Sequence, residues 1–300
     1  MIIAVTVAYH PNLDLLERQI RILLAQVDRI VLLHNGPTPT GLQELCNDFS
    51  VDFLGLESNI GLASAQNRGI VHATKLGAHE ILLMDQDSVP YPQMVSLLSK
   101  ALLLRPDAAA VGPRCIDLRS GHRSHFLVDN NLKVKVFNTD RELCGNFIDV
   151  AVIIASGTLL RTSALSSIGL MRGKWFIDRI DTEWCFRARL QGWKIIAVPD
   201  AHLGHSLGDK VSKFWWGRKR QVPHHSPLRH YYVFRNTILL NKLAYVPFYW
   251  KIFHLKILVQ IFLYFILLAP ERSLRLKMMV KGLYDGFTNS EELNLISSDS

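Results

Sequence analysis

Cysteine is scarce. The 300-residue chain has four, Cys46, Cys115, Cys144 and Cys185, and no two are spaced as a CxxC pair, so the spacing carries no zinc signal. They read as reduced core thiols of a cytosolic protein. The opening stretch MIIAVTVAYHP has no basic segment ahead of its apolar run, so it reads as a first β-strand and not as a signal peptide. Long uncharged runs are short too. The longest late run, Ile257 to Pro270, falls below the ~20 apolar residues a spanning helix needs. Lys251, His254 and Lys256 interrupt the stretch before it, which favours an amphipathic segment lying in a membrane interface over a true span. No internal repeat, long low-complexity tract or nucleic-acid motif is present. Acidic residues number 26 against 34 basic, a net charge of +8, so anionic partners are expected.

Apolar residues make up 49% of the chain and charged residues 20%, which describes a globular protein with a large core: one large α/β domain or two small ones. Over the first hundred residues, strands (IIAVTVAY, DRIVLLHNG, VDFLGLES, HEILLMDQD) alternate with helices (LLERQIRILLAQV, GLQELCNDF, the stretch after NIGLAS, PQMVSLLSKALLLRP). That rhythm predicts a parallel sheet covered by helices. After Ala108 it changes. AAAVGPRCI, HRSHFLVD, LKVKVFN and DVAVIIASGTLLR look like strands, TSALSSIG and DTEWCFRARLQG like short helices, and WKIIAVPDA like one more strand. From Leu203 the chain turns basic and aromatic, then strongly apolar, and the serine-rich tail after Asn289 is expected to fray.

Several clusters could carry chemistry. In EILLMDQDSVP a buried strand runs into Asp85 and Asp87, two like charges that would raise each other's pKa without a positive group between them. Ligands of open α/β sheets bind at the carboxyl ends of strands, and paired carboxylates suit Mg²⁺ or Mn²⁺. A capped turn before Pro90 would look the same. SNIGLASAQNRG can form a tight turn at Asn59 and Gly61 ahead of a helix carrying Arg68, either an anion-binding loop or an ordinary helix start. Asp178, Asp181 and Glu183 crowd together among Trp175, Phe176 and Trp184. A carboxylate in such surroundings can serve as a general base, although acids at a helix start also cap it. His202 and His205 follow a strand, where one could reach a metal or a diphosphate. Arg218, Lys219, Arg220, Arg229 and Arg235 could bind phosphate or form a solvated face beside anionic lipid.

Taken in order, VTVAYHP, NIGLASAQNRG, MDQDSVP, ASGTLLR and FIDRIDTEWCFRARLQGW resemble the inverting glycosyltransferases of family 2, from residue 2 to about residue 240. With HSLGD and RHYYVFRN, the likeness is greatest to bacterial rhamnosyltransferases that use dTDP-L-rhamnose. The resemblance implies a GT-A fold: an α/β, Rossmann-like mixed sheet with a helical, membrane-associating C-terminal segment. It implies a glycosyltransferase domain over 1–240, divided into a nucleotide-sugar half (1–107) and an acceptor half (108–240), with 241–300 at the membrane. It implies a donor site at Ala8, Tyr9, Asn35, Asn59, Gly61, Asn67, Asp85 and Arg235, and Mg²⁺ or Mn²⁺ on Asp85, Asp87 and His205. The base falls on Asp181, because Ile180-Asp181 stands where the family has a Glu-Asp pair. Acceptor contacts fall on Asp178, Glu183, Trp184 and Gly157. The expected partners are dTDP-L-rhamnose, a lipid-linked glycan of surface-polysaccharide synthesis and the cytoplasmic face of the bacterial inner membrane. Nucleic acid is not among them, and a homodimer would form through the late helices. A nucleotidyltransferase fits less well, since AYHPNLDLL lacks the glycine-rich basic loop such enzymes carry after their first strand. A family 2 transferase using another sugar nucleotide, a UDP-hexose or galactofuranose donor, is a second alternative. A non-catalytic membrane-bound carbohydrate-binding relative is a third, against which the intact Asp85, Asp87 and Asp181 set argues.

Overall fold

The computed structural model describes residues 1–118, 120–130, 132–137, 147–205 and 226–288, with the backbone alone of 210–215 and 219–224. The expectations for Cys144, Ser206 to Asp209, the side chains of Arg218, Lys219 and Arg220, and the tail after Asn289 lie outside these residues.

A nine-stranded sheet forms the centre, and β7 (Phe126–Asn130) pairs antiparallel with β8 (Lys133–Phe137) in a separate hairpin. The parallel half of the central sheet is β3 (Asp52–Leu56), β2 (Arg29–Asn35), β1 (Ile2–Ala8) and β4 (Glu80–Asp85), side by side in that order. Beyond β4 the sheet becomes mixed. β10 (Leu159–Arg161) runs antiparallel to both β4 and β6 (Ala108–Asp117), β6 is parallel to β11 (Lys194–His205), and β5 (Ser88–Pro90) and β9 (Ile148–Val150) pair antiparallel with β11. Residues alternate between the two faces of a strand. In β1, Ile3 and Val5 enter one buried cluster and Ala4 and Ala8 another. The second cluster is closed by α1 (Leu13–Leu24), α2 (Leu42–Asp48) and α4 (Met94–Leu104). The first is closed by α3 (Leu62–Lys75), α5 (Thr162–Ile168) and α6 (Ile180–Leu190). The start of α1 is set by Asn12, whose side chain accepts from the Leu15 N–H, and its inner face repeats at helical spacing through Leu16, Gln19, Ile20 and Leu23.

The elements differ from the sequence expectation in three places. DVAVIIASGTLLR is not one strand: β9 and β10 are its ends, and the residues between leave the sheet. Gly157 makes that departure possible. Its φ is +79°, and a Cβ there would lie 2.8 Å from both Leu203 and Pro113. The basic-aromatic stretch contains a full helix, α7 (Pro227–Lys242), begun by Ser226 as cap and Pro227 in the first turn. The apolar segment is longer than its uncharged run: α8 spans Phe248–Leu267, twenty residues, with Lys251, His254 and Lys256 inside it. Among the described residues it is the one helix long and apolar enough to cross a membrane by length and composition. One side of it buries Trp250, His254, Leu258 and Phe265. The last helix, α9 (Arg272–Thr288), lies against α7 so closely that a Cβ at Gly282 would meet the Tyr231 carbonyl at 2.4 Å, and one at Gly286 would meet the Ile238 Cβ at 2.8 Å.

Candidate active site

The parallel pairing sets the carboxyl ends of three strands in a row. Ala8 is in register with His34 of β2, and Val7 with Asp85 of β4, so Ala8, Asn35 and Asp85 end on one edge. Beside them Asn35 donates to Asn59 (3.0 Å) and accepts from the Ile60 N–H (2.9 Å), and Asn59 accepts from the Gly61 N–H. The Tyr9 ring is exposed and lies over Gly36. The loop after β4 is anchored to the Tyr9 backbone through Gln86, which accepts from its N–H (2.7 Å) and donates to its carbonyl (3.1 Å).

The antiparallel pairing of β5 with β11 sets His205 opposite Ser88 and so beside Asp87. His205 Nδ1 is 3.8 Å from Asp87 and 2.7 Å from the Ser88 hydroxyl. One ligand atom each from Asp85, Asp87 and His205 lies within 4.8 Å of the other two. Two hard carboxylate oxygens and an imidazole, converging at that separation, are a donor set for a divalent cation. Burial raises the Asp85 pKa to about 6; His205 opposes the rise, while the charges of Asp87 and Asp181 add to it. A cation between these carboxylates reverses that repulsion.

Three supporting residues escaped the sequence reading. Gln19, buried in α1, donates to the carbonyls of Asp85 (2.6 Å) and Ser88 (2.5 Å), and so fixes both ends of the Asp85–Ser88 turn. Ser156 accepts from the Asp85 N–H (3.2 Å), and its hydroxyl meets that of Ser88 at 2.8 Å. Their signal in the sequence was slight: a polar residue at an inward helical position, and two serines far apart in the chain.

The turn into α6 carries the next group of acids. Asp181 Oδ1 accepts from the Thr182 N–H (2.7 Å) and hydroxyl (3.3 Å). Its other oxygen takes no part in that cap. Burial is the main cause that raises the Asp181 pKa; the Thr182 N–H and Arg179 partly offset it, and Asp178 adds to it. Asp181 also acts on the Asp85 charge, which ties the two acids to one site. Asp178 is held by Arg229 through both carboxylate oxygens, at 3.0 to 3.3 Å.

The structure gives several other candidates protein partners. Glu183 is fully buried and faces inward; it pairs with Arg172 (3.0 Å) and Arg187 (2.9 Å) and accepts from the Tyr245 hydroxyl (2.5 Å). Burial pushes its pKa up, but Arg187, Arg172 and Tyr245 outweigh it and hold the carboxyl below its usual range. It is therefore a structural anion and not an acceptor ligand. The Trp184 indole is buried and donates to Gly169 O (2.9 Å). Asn67 exchanges two hydrogen bonds with the Met171 backbone. Gly157 serves the close approach described above. Arg235 is buried as well: its guanidinium donates to the carbonyls of Lys174 and Trp175, not outward to a diphosphate. At the start of α3, Ala63 donates to the Phe176 carbonyl, so the turn at Gly61 is closed by protein. His202 stands outside the Asp85, Asp87 and His205 group.

This fold and this edge of the sheet define a glycosyltransferase of GT-A type. A family model described as "Glycosyl transferase family group 2" matches residues 80–280, and the chain belongs to that family. It is 33% identical over 248 residues to the dTDP-rhamnosyl transferase RfbF of Shigella flexneri, covering 82% of this chain and 81% of that one. A galactofuranosyltransferase of Mycobacterium tuberculosis, GlfT1, is 23% identical over 77% of this chain and 79% of its own length. Among solved structures, GalNAc-T7 with UDP, GalNAc and Mn²⁺ superposes over 97% of this chain with a TM-score of 0.57 and 12% identity. This chain spans 56% of that one. S. aureus TarS 1–349 gives 0.53 at 13% identity, covering 95% of this chain and 81% of its own. At such identity the solved structures establish the fold. The protein is thus a glycosyltransferase with a divalent-metal site at the carboxyl edge of its sheet.

Proposed function

We propose that the protein transfers L-rhamnose from dTDP-L-rhamnose to a sugar hydroxyl, with inversion, in the synthesis of a bacterial surface polysaccharide. One observation carries the reading: in a chain 33% identical to a dTDP-rhamnosyl transferase, Asp85, Asp87 and His205 converge on one point, and the half-buried Asp181 lies near enough to act on the Asp85 charge. Asn35 and Asn59 would receive the nucleotide, with Tyr9 beside them. Asp85, Asp87 and His205 would hold Mg²⁺ or Mn²⁺, whose positive charge stabilises the diphosphate as it leaves. The free oxygen of Asp181 takes the proton of the acceptor hydroxyl while the hydroxyl's own oxygen attacks the anomeric carbon from the face opposite the diphosphate, which leaves. One displacement inverts the configuration. Base assistance of this kind contributes on the order of 10²–10⁴ in rate.

The acceptor we infer is a lipid-linked glycan at the cytoplasmic face of the inner membrane. What supports this is the surface of α8 and α9. Ile252, Leu255, Val259, Leu263 and Leu267 are exposed along one helix, Leu276, Val280 and Tyr284 along the other, and Arg272, Lys277 and Lys281 lie beside them. Apolar stripes flanked by cations suit an anionic bilayer surface.

The test is nucleoside diphosphate release by the purified protein with Mg²⁺ or Mn²⁺, a panel of sugar nucleotides and lipid-linked sugar extract, with Asp181→Asn and Asp87→Ala in parallel. Release from dTDP-L-rhamnose, dependent on metal and lost in both variants, is expected. Release from UDP-galactofuranose instead would keep the mechanism and replace the donor, in line with the weaker likeness to GlfT1. No release from any donor would overturn the reading.

A further inference from the structure

The segment that leads into Asp181 is held in an unfavourable backbone. Phe176, Asp178 and Arg179 all have positive φ, at +66°, +67° and +64°. For residues with a Cβ this region is unfavourable, and it persists only where surrounding structure enforces it. The enforcing groups come from α7. Asn236, wholly buried, points its amide at three carbonyls of this segment: Trp175 O (2.9 Å), Ile177 O (2.8 Å) and Asp178 O (3.0 Å). Arg235 Nε donates to Asn236 Oδ1 (3.0 Å), which fixes the amide's orientation, while its Nη2 reaches Lys174 O (2.9 Å) and Trp175 O (3.2 Å). The guanidinium lies against the rings of Tyr231 and Tyr232, 5.5 and 5.0 Å from their centres. Tyr232 in turn stacks on Phe176 at 4.7 Å. Further along the same face, Thr237 accepts from Arg179 (3.2 Å) and Arg229 holds Asp178. One helix thus grips every residue from 174 to 179 through a backbone carbonyl, a ring or a side chain.

We propose that Arg235 and Asn236 are positioning residues for the transfer: they clamp the backbone of residues 174–178 so that the turn into α6 presents the Asp181 carboxylate to the acceptor. The proposal rests on Asp181 being the base. Both side chains donate to carbonyls of this segment and stand outside the Asp85, Asp87 and His205 group, so on this proposal loosening the clamp impairs the chemical step and leaves nucleotide binding in place. A base displaced by about 1 Å loses on the order of 10²-fold in rate.

The experiment compares the full chain with Asn236→Ala, Asn236→Ser and Asp181→Asn, using the donor that the panel identifies. Three quantities are read: kcat for transfer, Kd for the nucleoside diphosphate with Mn²⁺, and amide hydrogen exchange across the chain. In Asn236→Ala, kcat falls roughly 100-fold and Kd changes by less than about threefold. Exchange quickens over 174–182 and not in β1 or β4. The serine hydroxyl can donate one bond, so Asn236→Ser falls between alanine and wild type, and it serves as the test if the alanine variant does not fold. Wild-type kcat in the Asn236 variants with an inactive Asp181→Asn overturns the clamp alone. An active Asp181→Asn overturns the base assignment on which it rests. A Kd weakened as much as kcat, or exchange quickened throughout the sheet, shows Asn236 to be merely structural and overturns the proposal.

Discussion

Asp181 carries two demands on one carboxylate. One oxygen caps its own helix through Thr182, which favours the ionised form, while burial favours the neutral form and prevails. A base works only when ionised, so a raised pKa moves the onset of activity upward in pH. The acid limb of kcat/KM, measured at saturating divalent cation so that Asp85 stays ionised, is expected above the ordinary aspartate value of about 3.9. Rate falls as pH drops through that limb. A limb at or below the ordinary value would mean that another group takes the proton. That a cluster of acids stands at this helix start was legible in the sequence, because acids beside tryptophans are conspicuous; the choice of Asp181 among them came from the family resemblance. That Glu183, two residues on, turns inward was not. Arg187 stands one turn on in the same helix, but Arg172 and Tyr245 come from two separate segments, and no local pattern announces those.

At the scale of elements, Glu183 ties α6 to the segment between α7 and α8. Removing one partner from a buried ion pair leaves charge without compensation, at a cost of about 3–5 kcal/mol. Glu183→Gln is therefore expected to lower the denaturant midpoint by a stability loss of that size. The pH dependence has a definite sign. The carboxyl is held below its usual range in the folded protein, so its contribution is complete above the unfolded value of about 4.3 and is lost as pH falls through the folded one. Glu183→Gln should lack that portion of acid destabilisation, and an unchanged acid dependence would assign it elsewhere. The parallel half of the sheet was readable because its strands are short apolar runs set between amphipathic helices. α7 was not. Its inner face is polar, with His230, Arg235, Asn236 and Thr237 buried against carbonyls and rings, so its hydrophobic period is broken. DVAVIIASGTLLR misled for the opposite reason: a buried apolar run looks the same whether it lies in a strand or crosses the core as coil.

For the whole molecule, the question is what the late helices do. If α8 and α9 hold the protein at a bilayer, a chain ending at residue 242 should appear in the soluble fraction on cell fractionation, and persistence in the membrane fraction would refute that anchoring. Such a chain also loses Tyr245 and α9, so its activity should fall for a reason unrelated to lipid. Replacing Leu255, Val259 and Leu263 with serine separates the two effects, since these side chains are exposed and are not among the buried residues of α8. That triple variant is expected to leave the membrane and keep donor turnover. The contact of α9 with α7 carries a consequence for how the sequence tolerates change. Gly282 and Gly286 meet the backbone of the residues that carry the clamp, with no room for a methyl group. A library of single substitutions selected for activity should therefore show two positions near the end of the chain as intolerant as the aspartates of the site, although neither glycine has a side chain with which to bind anything.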